Sequence, residues 1–222
     1  MERLFERELS ELNRQLAEMA ALAEEAIKKA VTSLKEADVT MARTVIDNDQ
    51  RIDELELEIE KRAIALLAIR QPMAMDLRFI TTGMKVNTEL ERIADLAVSI
   101  ARRTIELAEQ PLLKPLIEIP KLALIAGKMV KEAIDSFISR DEELARQVIL
   151  ADNEADDLKR SIQSELLNDY IAKDSHTAPR AIPLYLVASH LERICDHATN
   201  IAEDVIYMVN AKVVKHHPER LT

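Results

Sequence analysis

Apolar residues recur every three or four positions over long stretches of this chain, the spacing that predicts helices buried along one side. The first stretch runs from about Glu2 to Lys35, and the second runs from Val39 to Arg70. The second helix is expected to end there, because Pro72 disfavours the helical conformation of the residue before it. A third helix is expected from about Ala74 to Glu109.

A segment with three prolines, Pro111, Pro115 and Pro120, then interrupts the pattern and predicts the join between two halves. The helical pattern resumes after it. Three further helices are expected, one ending near Ser139, one from Asp141 to about Lys173, and one from a break around Pro179 to about Lys212. We therefore predict an all-α fold of six long helices, arranged as two tandem, pseudo-symmetric three-helix bundles at residues 1–110 and 111–222.

The two halves share an internal repeat, which is clearest in the fragment LERIxDxAxxIA. The matching segments are 90–101 with 191–202 at an offset of 101 residues, 45–59 with 148–162 at 103, and 25–27 with 132–134 at 107. Each change of offset falls where a turn is expected. The second half is therefore predicted to have shorter hairpins than the first.

Composition agrees with long helices and limits the possible partners. The chain has two glycines, no tryptophan and 3% aromatic residues, so its core must be built from aliphatic side chains and methionine. A net charge of -10 disfavours a nucleic acid as partner, because the phosphate backbone requires a basic surface. The single cysteine, Cys195, cannot form an internal disulfide and fits a reducing compartment.

The sequence also predicts where the protein works. Its first residues mix acids with apolar positions and lack the apolar segment of a signal peptide. The longest apolar run, Ala63 to Ile69, is far shorter than the ~20 residues of a membrane-spanning helix. We expect a cytoplasmic protein that reaches a membrane only through its partners.

Acidic residues four positions apart are the sharpest candidates for chemistry. Four such pairs occur: Asp49/Asp53, Glu91/Asp95, Asp152/Asp156 and Glu192/Asp196. Residues at this spacing share one helix face, so both carboxylates of a pair can point at one ion. The stripe formed by Leu90, Ile93 and Ala97 lies roughly opposite Glu91 and Asp95, which predicts that the acids occupy an outer face. If the second and third helices of each half are neighbours, four carboxylates converge in each half.

A site made only of carboxylate oxygens suits hard cations such as iron(III), manganese or magnesium, and it tolerates zinc. The alternative is an ordinary solvated face, because acidic pairs at this spacing are common on charged helices. Recurrence of the pairs at equivalent positions in both halves favours metal ligands. The pattern does not identify the metal.

Other polar residues give weaker signals. His197 has no counterpart in the first half, which favours a surface or capping role, and Cys195 is expected to be small and partly buried. Arg78, Arg92 and Arg193 are the only candidates for holding a phosphate, and a structural role is favoured for each. The chain has no evident nucleophile–histidine arrangement and no glycine-rich phosphate loop.

Several motifs together resemble the PhoU family over essentially the whole chain. They are Arg70-Gln71-Pro72, Asp76-Leu77-Arg78-Phe79-Ile80, Lys85-Val86-Asn87-Thr88, Leu90-Glu91-Arg92-Ile93-Ala94-Asp95, and the segment from Leu191 to Asp204. One departure is that the family usually has glycine where Ala94 and Cys195 stand. The resemblance implies two three-helix bundles, often in a homodimer, with metals on the acidic motifs. The ligands carried over are Asp49, Asp53, Glu91, Asp95, Asp152, Asp156, Glu192 and Asp196.

The resemblance implies a function that residue patterns alone do not provide. Members of this family act as negative regulators of the phosphate-starvation response and link the phosphate ABC transporter, through its nucleotide-binding subunit, to a membrane sensor histidine kinase. A non-enzymatic adaptor is therefore expected. One alternative is a di-iron metalloenzyme, but no glutamate stands three residues before any of the five histidines. A second alternative is a metal-storage bundle.

Overall fold

The computed structural model describes residues 2–211, and over that range the fold is all-α, as predicted. Six α-helices make up the described chain, with no strand among them. They are α1 (Glu2–Glu36), α2 (Val39–Arg70), α3 (Ala74–Leu107), α4 (Glu118–Ser139), α5 (Glu142–Glu165) and α6 (Ala178–Asn210). The first three helices pack as one bundle and the last three as another. The proposed division at residues 110 and 111 lies in the segment between α3 and α4 and stays a prediction.

The turns that open α2 and α5 are built in the same way. Asp38 caps α2 by accepting a hydrogen bond from the backbone N–H of Met41 at 2.9 Å, and Asp141 caps α5 by accepting one from Leu144 at 3.1 Å. A side-chain cap of this kind satisfies a backbone donor that the helix leaves unpaired. The two caps are 103 residues apart, and so are the ends of α1 and α4. The α1–α2 and α4–α5 hairpins therefore have equal length, and the prediction of a shorter hairpin in the second half is wrong at this turn.

This equality corrects the sequence alignment of the first helices. The offset of 107 residues between α1 and α4 was wrong, and the structural offset is 103, as between α2 and α5. The difference of four residues is close to one helical turn. A shift of one turn keeps apolar residues opposite apolar residues, so the sequence pattern does not distinguish the two alignments.

The fifth helix and the break after it also differ from expectation. The α-helical part of α5 ends at Glu165 and continues as a π-helix at Leu166–Ile171, and a short 3-10 turn at Ser175–Thr177 precedes α6. Pro179 lies in the first turn of α6 rather than in the break. Proline fits there because the backbone N–H groups of a first helical turn have no partners within the helix, so the N–H that proline lacks is not missed. The predicted end of the last helix, near Lys212, lies outside the described residues.

The two bundles share one apolar core. Helices α3 and α6 run antiparallel between them, as shown by the ion pair of Lys85 with Asp204 at 2.7 Å and by the contact of Glu89 with His197 at 2.6 Å. Helices α1 and α4 form a second contact between the bundles. The core is mainly aliphatic, as composition required, with Phe79 and Phe137 as its largest side chains. Across residues 2–211, no helix combines the length and apolarity that crossing a bilayer demands.

Candidate functional site

Acidic side chains from two neighbouring helices converge in each half of the protein. Helices α2 and α3 carry one group, and helices α5 and α6 carry the other. We call Asp49, Asp53, Glu91 and Asp95 the first patch, and Asp152, Asp156, Glu192 and Asp196 the second patch. The eight residues are those that the sequence indicated. The condition for their convergence, that the second and third helices of each half be neighbours, is met.

The patches lie at the edge of the core rather than fully in water. Asp53, Asp95 and Asp196 are exposed, whereas the other five acids are half-buried. The expected outer position therefore describes only part of each patch. The reason is that α3 packs against α1, α2 and α6, so its buried face is broad and includes Ala94 beside the acids. Partial burial brings these carboxylates into a less polar environment.

Burial and mutual repulsion disfavour full ionisation of the first patch. The pKa of Asp49 is raised to about 6, first by burial and then by the negative charges of Asp53 and Asp95, while Arg102 opposes the rise. The pKa of Glu91 is also raised, mainly by burial, with Asp95 the strongest of the neighbouring acids. Asp49 therefore interacts with an acid of the other helix as well as with its own pair.

Burial and neighbouring acids also raise pKa values in the second patch. Burial is the main cause that raises the pKa of Asp152 to about 6, followed by the charges of Asp196, Asp156 and Glu192. The pKa of Asp196 is raised by burial and by Glu192, while Lys159 partly opposes the rise. In each patch the acid whose pKa is raised most is the first member of the α2 or α5 pair, Asp49 or Asp152. The halves therefore share the raised pKa of this first acid, whereas the acids with a raised pKa on α3 and α6, Glu91 and Asp196, do not stand at equivalent positions.

Two further charged positions complete each patch, and their signs are exchanged between the halves. Glu56 interacts with Glu91 in the first patch, whereas its equivalent Lys159 donates a hydrogen bond to Glu192 at 2.8 Å in the second. Conversely, Arg102 lies near Asp49, whereas its equivalent Glu203 lies near Asp152. Sequence reasoning missed these four residues. The offsets of 103 and 101 residues would have identified them, had charged positions beyond the acidic pairs been aligned.

The donor set fits a hard cation, but it is not arranged as a finished coordination shell. All eight predicted ligands provide carboxylate oxygens, the preferred donors of magnesium, manganese and iron(III). Among the described residues, no three His, Cys, Asp or Glu side chains are grouped closely enough to hold a metal ion as they stand. In the second patch, Lys159 also occupies one oxygen of Glu192. Cation binding would therefore require the side chains to move.

His197 is not the surface or capping residue expected from the sequence. Its side chain is only 13% exposed, and its Nδ1 atom lies 2.6 Å from Oε2 of Glu89 across the contact between the bundles. Asn200 donates a second hydrogen bond to the same oxygen at 3.3 Å. Burial alone would raise the pKa of Glu89, but the hydrogen bond and charge of His197 lower it overall. The pattern of α6 alone could not show that α3 covers this position.

The remaining candidates have structural surroundings. Cys195 is fully buried, and burial raises the pKa of its thiol, so the side chain is a packing residue rather than a nucleophile. Arg78 donates a hydrogen bond to the backbone oxygen of Met208 at 2.9 Å and links α3 to α6. Arg92 lies 3.9 Å from Glu89, and Arg193 is exposed on α6. The three arginines thus have separate environments.

Comparison with known proteins adds to this geometry. Two copies of the PhoU domain match residues 16–104 and 119–205. A phosphate-specific transport system accessory protein PhoU homolog of Aquifex aeolicus is 43% identical over 210 residues, which cover 95% of each chain. The homolog of Rhizobium meliloti is 37% identical, covering 92% of this chain and 86% of that one. The crystal structure of PhoU from Pseudomonas aeruginosa superposes with a TM-score of 0.89 at 36% identity, covering 94% of this chain and all of the other.

Proposed function

The chain belongs to the PhoU family, and from this premise we propose that it is an adaptor that represses the phosphate-starvation response. In this role it couples the nucleotide-binding subunit of a phosphate ABC transporter to a membrane sensor histidine kinase. The observation that supports the proposal most strongly is the pair of PhoU domains, together with relatives named as accessory proteins of the phosphate-specific transport system.

The surface of the first bundle has exposed apolar residues that suit binding to another protein. Apolar side chains are exposed at the end of the first bundle, where α2 turns into α3: Ile69 is 71% exposed and Met73 is 81% exposed. Leu77, one turn into α3, is 42% exposed. Exposed apolar residues clustered at one end of a helical bundle are typical of protein interaction sites. We propose a cytoplasmic location, a homodimer, no binding to nucleic acid, and membrane association only through the partners.

We propose that each patch holds hard cations through its own carboxylates. Asp49 and Asp53 on α2 would share an ion with Glu91 and Asp95 on α3, and the equivalent acids of α5 and α6 would do the same. A bound cation supplies positive charge that offsets the repulsion between these acids and ties the two helices of each half together. The pKa values of Asp49 and Asp152 support this role, because they are raised first by burial and then by the neighbouring carboxylates, whose repulsion a cation would offset.

The two alternatives from the sequence have less support. A di-iron enzyme of the ferritin-like kind uses ligands that project into a bundle core, including Glu-x-x-His pairs. The patch acids instead border solvent, with Asp95 and Asp196 exposed. A metal-storage protein would bind many ions with little dependence on any one acid. The absence of a catalytic role is part of the proposal.

Deletion of the gene tests the adaptor function directly. In medium rich in phosphate, the deletion strain should produce alkaline phosphatase and take up phosphate as if starved, because the repressing link between transporter and kinase is lost. Expression of the full chain from a plasmid should restore repression. Phosphatase activity and phosphate uptake that remain at the wild-type level after deletion would refute the repressor role.

A further inference from the structure

A groove runs between α1 and α4 on a face that shares no residue with the carboxylate patches. Its volume is about 380 Å³. Ile27 and Val31 of α1 form its buried floor, with Ala123 of α4 beside them. Leu124, on the same helix, lines the groove and is 74% exposed. We call this feature the α1–α4 groove, and its apolar surface has no covering segment among residues 2–211.

Gly127 lines the groove and places no side chain in it. A methyl group added at this glycine would meet no atom within 4 Å, so internal packing does not require glycine here. Glycine is disfavoured in the interior of a helix compared with alanine, and Gly127 lies well inside α4. The open space at this position therefore exists at a cost to the stability of the helix.

The rim of the groove carries lysines, although the chain as a whole is strongly acidic. Lys28, Lys35 and Lys128 line the groove, against a single acid, Glu24. Among the described residues, no carboxylate lies within ion-pair distance of Lys28 or Lys35. Lys128 reaches Glu132 only at 3.7 Å, and its side chain is 72% exposed. Positive charge is therefore available along both walls.

Comparison of the halves shows how this positive charge arises. Lys131, the equivalent of Lys28 at the offset of 103 residues, forms an ion pair with Asp135 and also interacts with Glu24. In the groove, Thr32 stands at the position equivalent to Asp135, and Gly127 stands at the position equivalent to Glu24. These two differences between the halves leave Lys28 without the acids that Lys131 contacts. The lack of a side chain at Gly127 also leaves space above the floor of the groove.

We propose that the α1–α4 groove binds an acidic amphipathic helix of a partner protein. Apolar side chains at positions i, i+3 or i+4, and i+7 of that helix would enter the groove, and its flanking carboxylates would pair with the lysines. Lys28 and Lys35 are two turns apart, about 10 Å, which matches the reach of such a helix and is too far for one phosphate group to bridge. The concave shape favours a helix over a flat lipid surface.

A labelled peptide of about four helical turns, with leucines at this spacing and glutamates beside them, is the probe. Fluorescence anisotropy should show that it binds the full chain and that affinity falls as salt is raised. A matched peptide with lysines in place of the glutamates should bind at least about tenfold more weakly. Absence of binding by the acidic peptide, or equal binding of both peptides, would overturn the proposal.

Variants of the chain assign the binding to the groove. Thr32→Asp with Gly127→Glu installs the acids of the equivalent face and should weaken acidic-peptide binding by about tenfold or more. Lys61→Glu on α2 changes the net charge by the same amount and should leave the affinity unchanged. Lys28→Gln with Lys35→Gln, which alters only exposed side chains, should reproduce the loss if the first double variant does not fold. An unchanged affinity in folded groove variants would contradict the proposal.

A vesicle experiment distinguishes the partner class. Sedimentation with phosphatidylglycerol vesicles should recover little of the protein. Strong recovery that Lys28→Gln with Lys35→Gln abolishes would assign these lysines to a membrane surface and overturn the proposal. The inference rests on the proposed adaptor function in one respect, because both take the binding partner to be a protein. Because the deletion phenotype is measured without the peptide, failure of one hypothesis is distinguishable from failure of the other.

Discussion

Replacing Phe137 by alanine is expected to lower the free energy of unfolding by about 3–5 kcal/mol. Phe137 belongs to α4 in the second half, but its ring stacks on Phe79 of α3 in the first half, with 4.9 Å between ring centroids. Its edge also approaches Gly83, where an added methyl group would lie 3.5 Å from the ring. Both phenylalanines are almost fully buried. Truncation therefore opens a cavity between the bundles.

Urea unfolding followed by circular dichroism measures this effect. Because the lost ring joins the two halves, the midpoint of the whole helical signal should shift to lower urea. Leu150→Ala on α5 is the control, because Leu150 is 64% exposed and its truncation should cost less than about 0.5 kcal/mol. A loss below about 1 kcal/mol for Phe137→Ala would show that the contact between the bundles contributes little to stability.

The metal-free protein is expected to become more stable as the pH falls from about 7 to about 5, because of the patch acids. The pKa values of Asp49 and Asp152 are about 6 in the folded protein, above the ordinary value of 3.8. Their protonated forms are therefore favoured by folding. The stabilisation that this provides is fully present below the ordinary pKa and is lost as the pH rises through the folded pKa of about 6.

The variants Asp49→Asn and Asp152→Asn isolate this contribution. Each should raise the free energy of unfolding at pH 7 by about 1–2 kcal/mol, a value reduced for the partial exposure of the patches. The two effects should add, because the sites lie in different halves. At pH 4 both gains should disappear. Asp157→Asn, an exposed acid of α5, is the control and should change little at either pH. A decrease in stability at pH 7 would contradict the electrostatic account.

Most of the fold could be predicted from the sequence, because it depends on local pattern. The spacing of apolar residues gave the ends of α1, α2 and α3 within a few residues. Pro111 and Pro115 lie in the segment between α3 and α4, as expected, whereas Pro120 lies in the first turn of α4. The register of α1 against α4 could not be predicted from pattern, since helices shifted by one turn present nearly the same apolar stripe. The π-helix at Leu166–Ile171 has no signal in apolar spacing either.

The candidate site was predictable only in part, for a related reason. Acidic pairs are visible in the sequence because both members lie on one helix. Contacts between the halves are not visible, which is why His197 was expected at the surface although Glu89 holds it between the bundles. Burial of Asp49 and Asp152 likewise depends on how neighbouring helices cover them. The exchanged charges at Glu56 and Lys159, by contrast, can be read directly from the aligned repeats.

Elemental analysis of the purified chain, dialysed after incubation with manganese, tests the two-patch account most directly. Asp53→Ala with Asp95→Ala should remove the metal of the first half alone, and Asp156→Ala with Asp196→Ala should remove that of the second half alone. The control, Asp47→Ala with Asp157→Ala, removes two carboxylates outside the patches from the same helices, α2 and α5. We predict that this control retains the full metal content and that the variant combining all four patch substitutions retains none. Equal metal content in every variant, or no metal in the wild-type chain, would contradict the account.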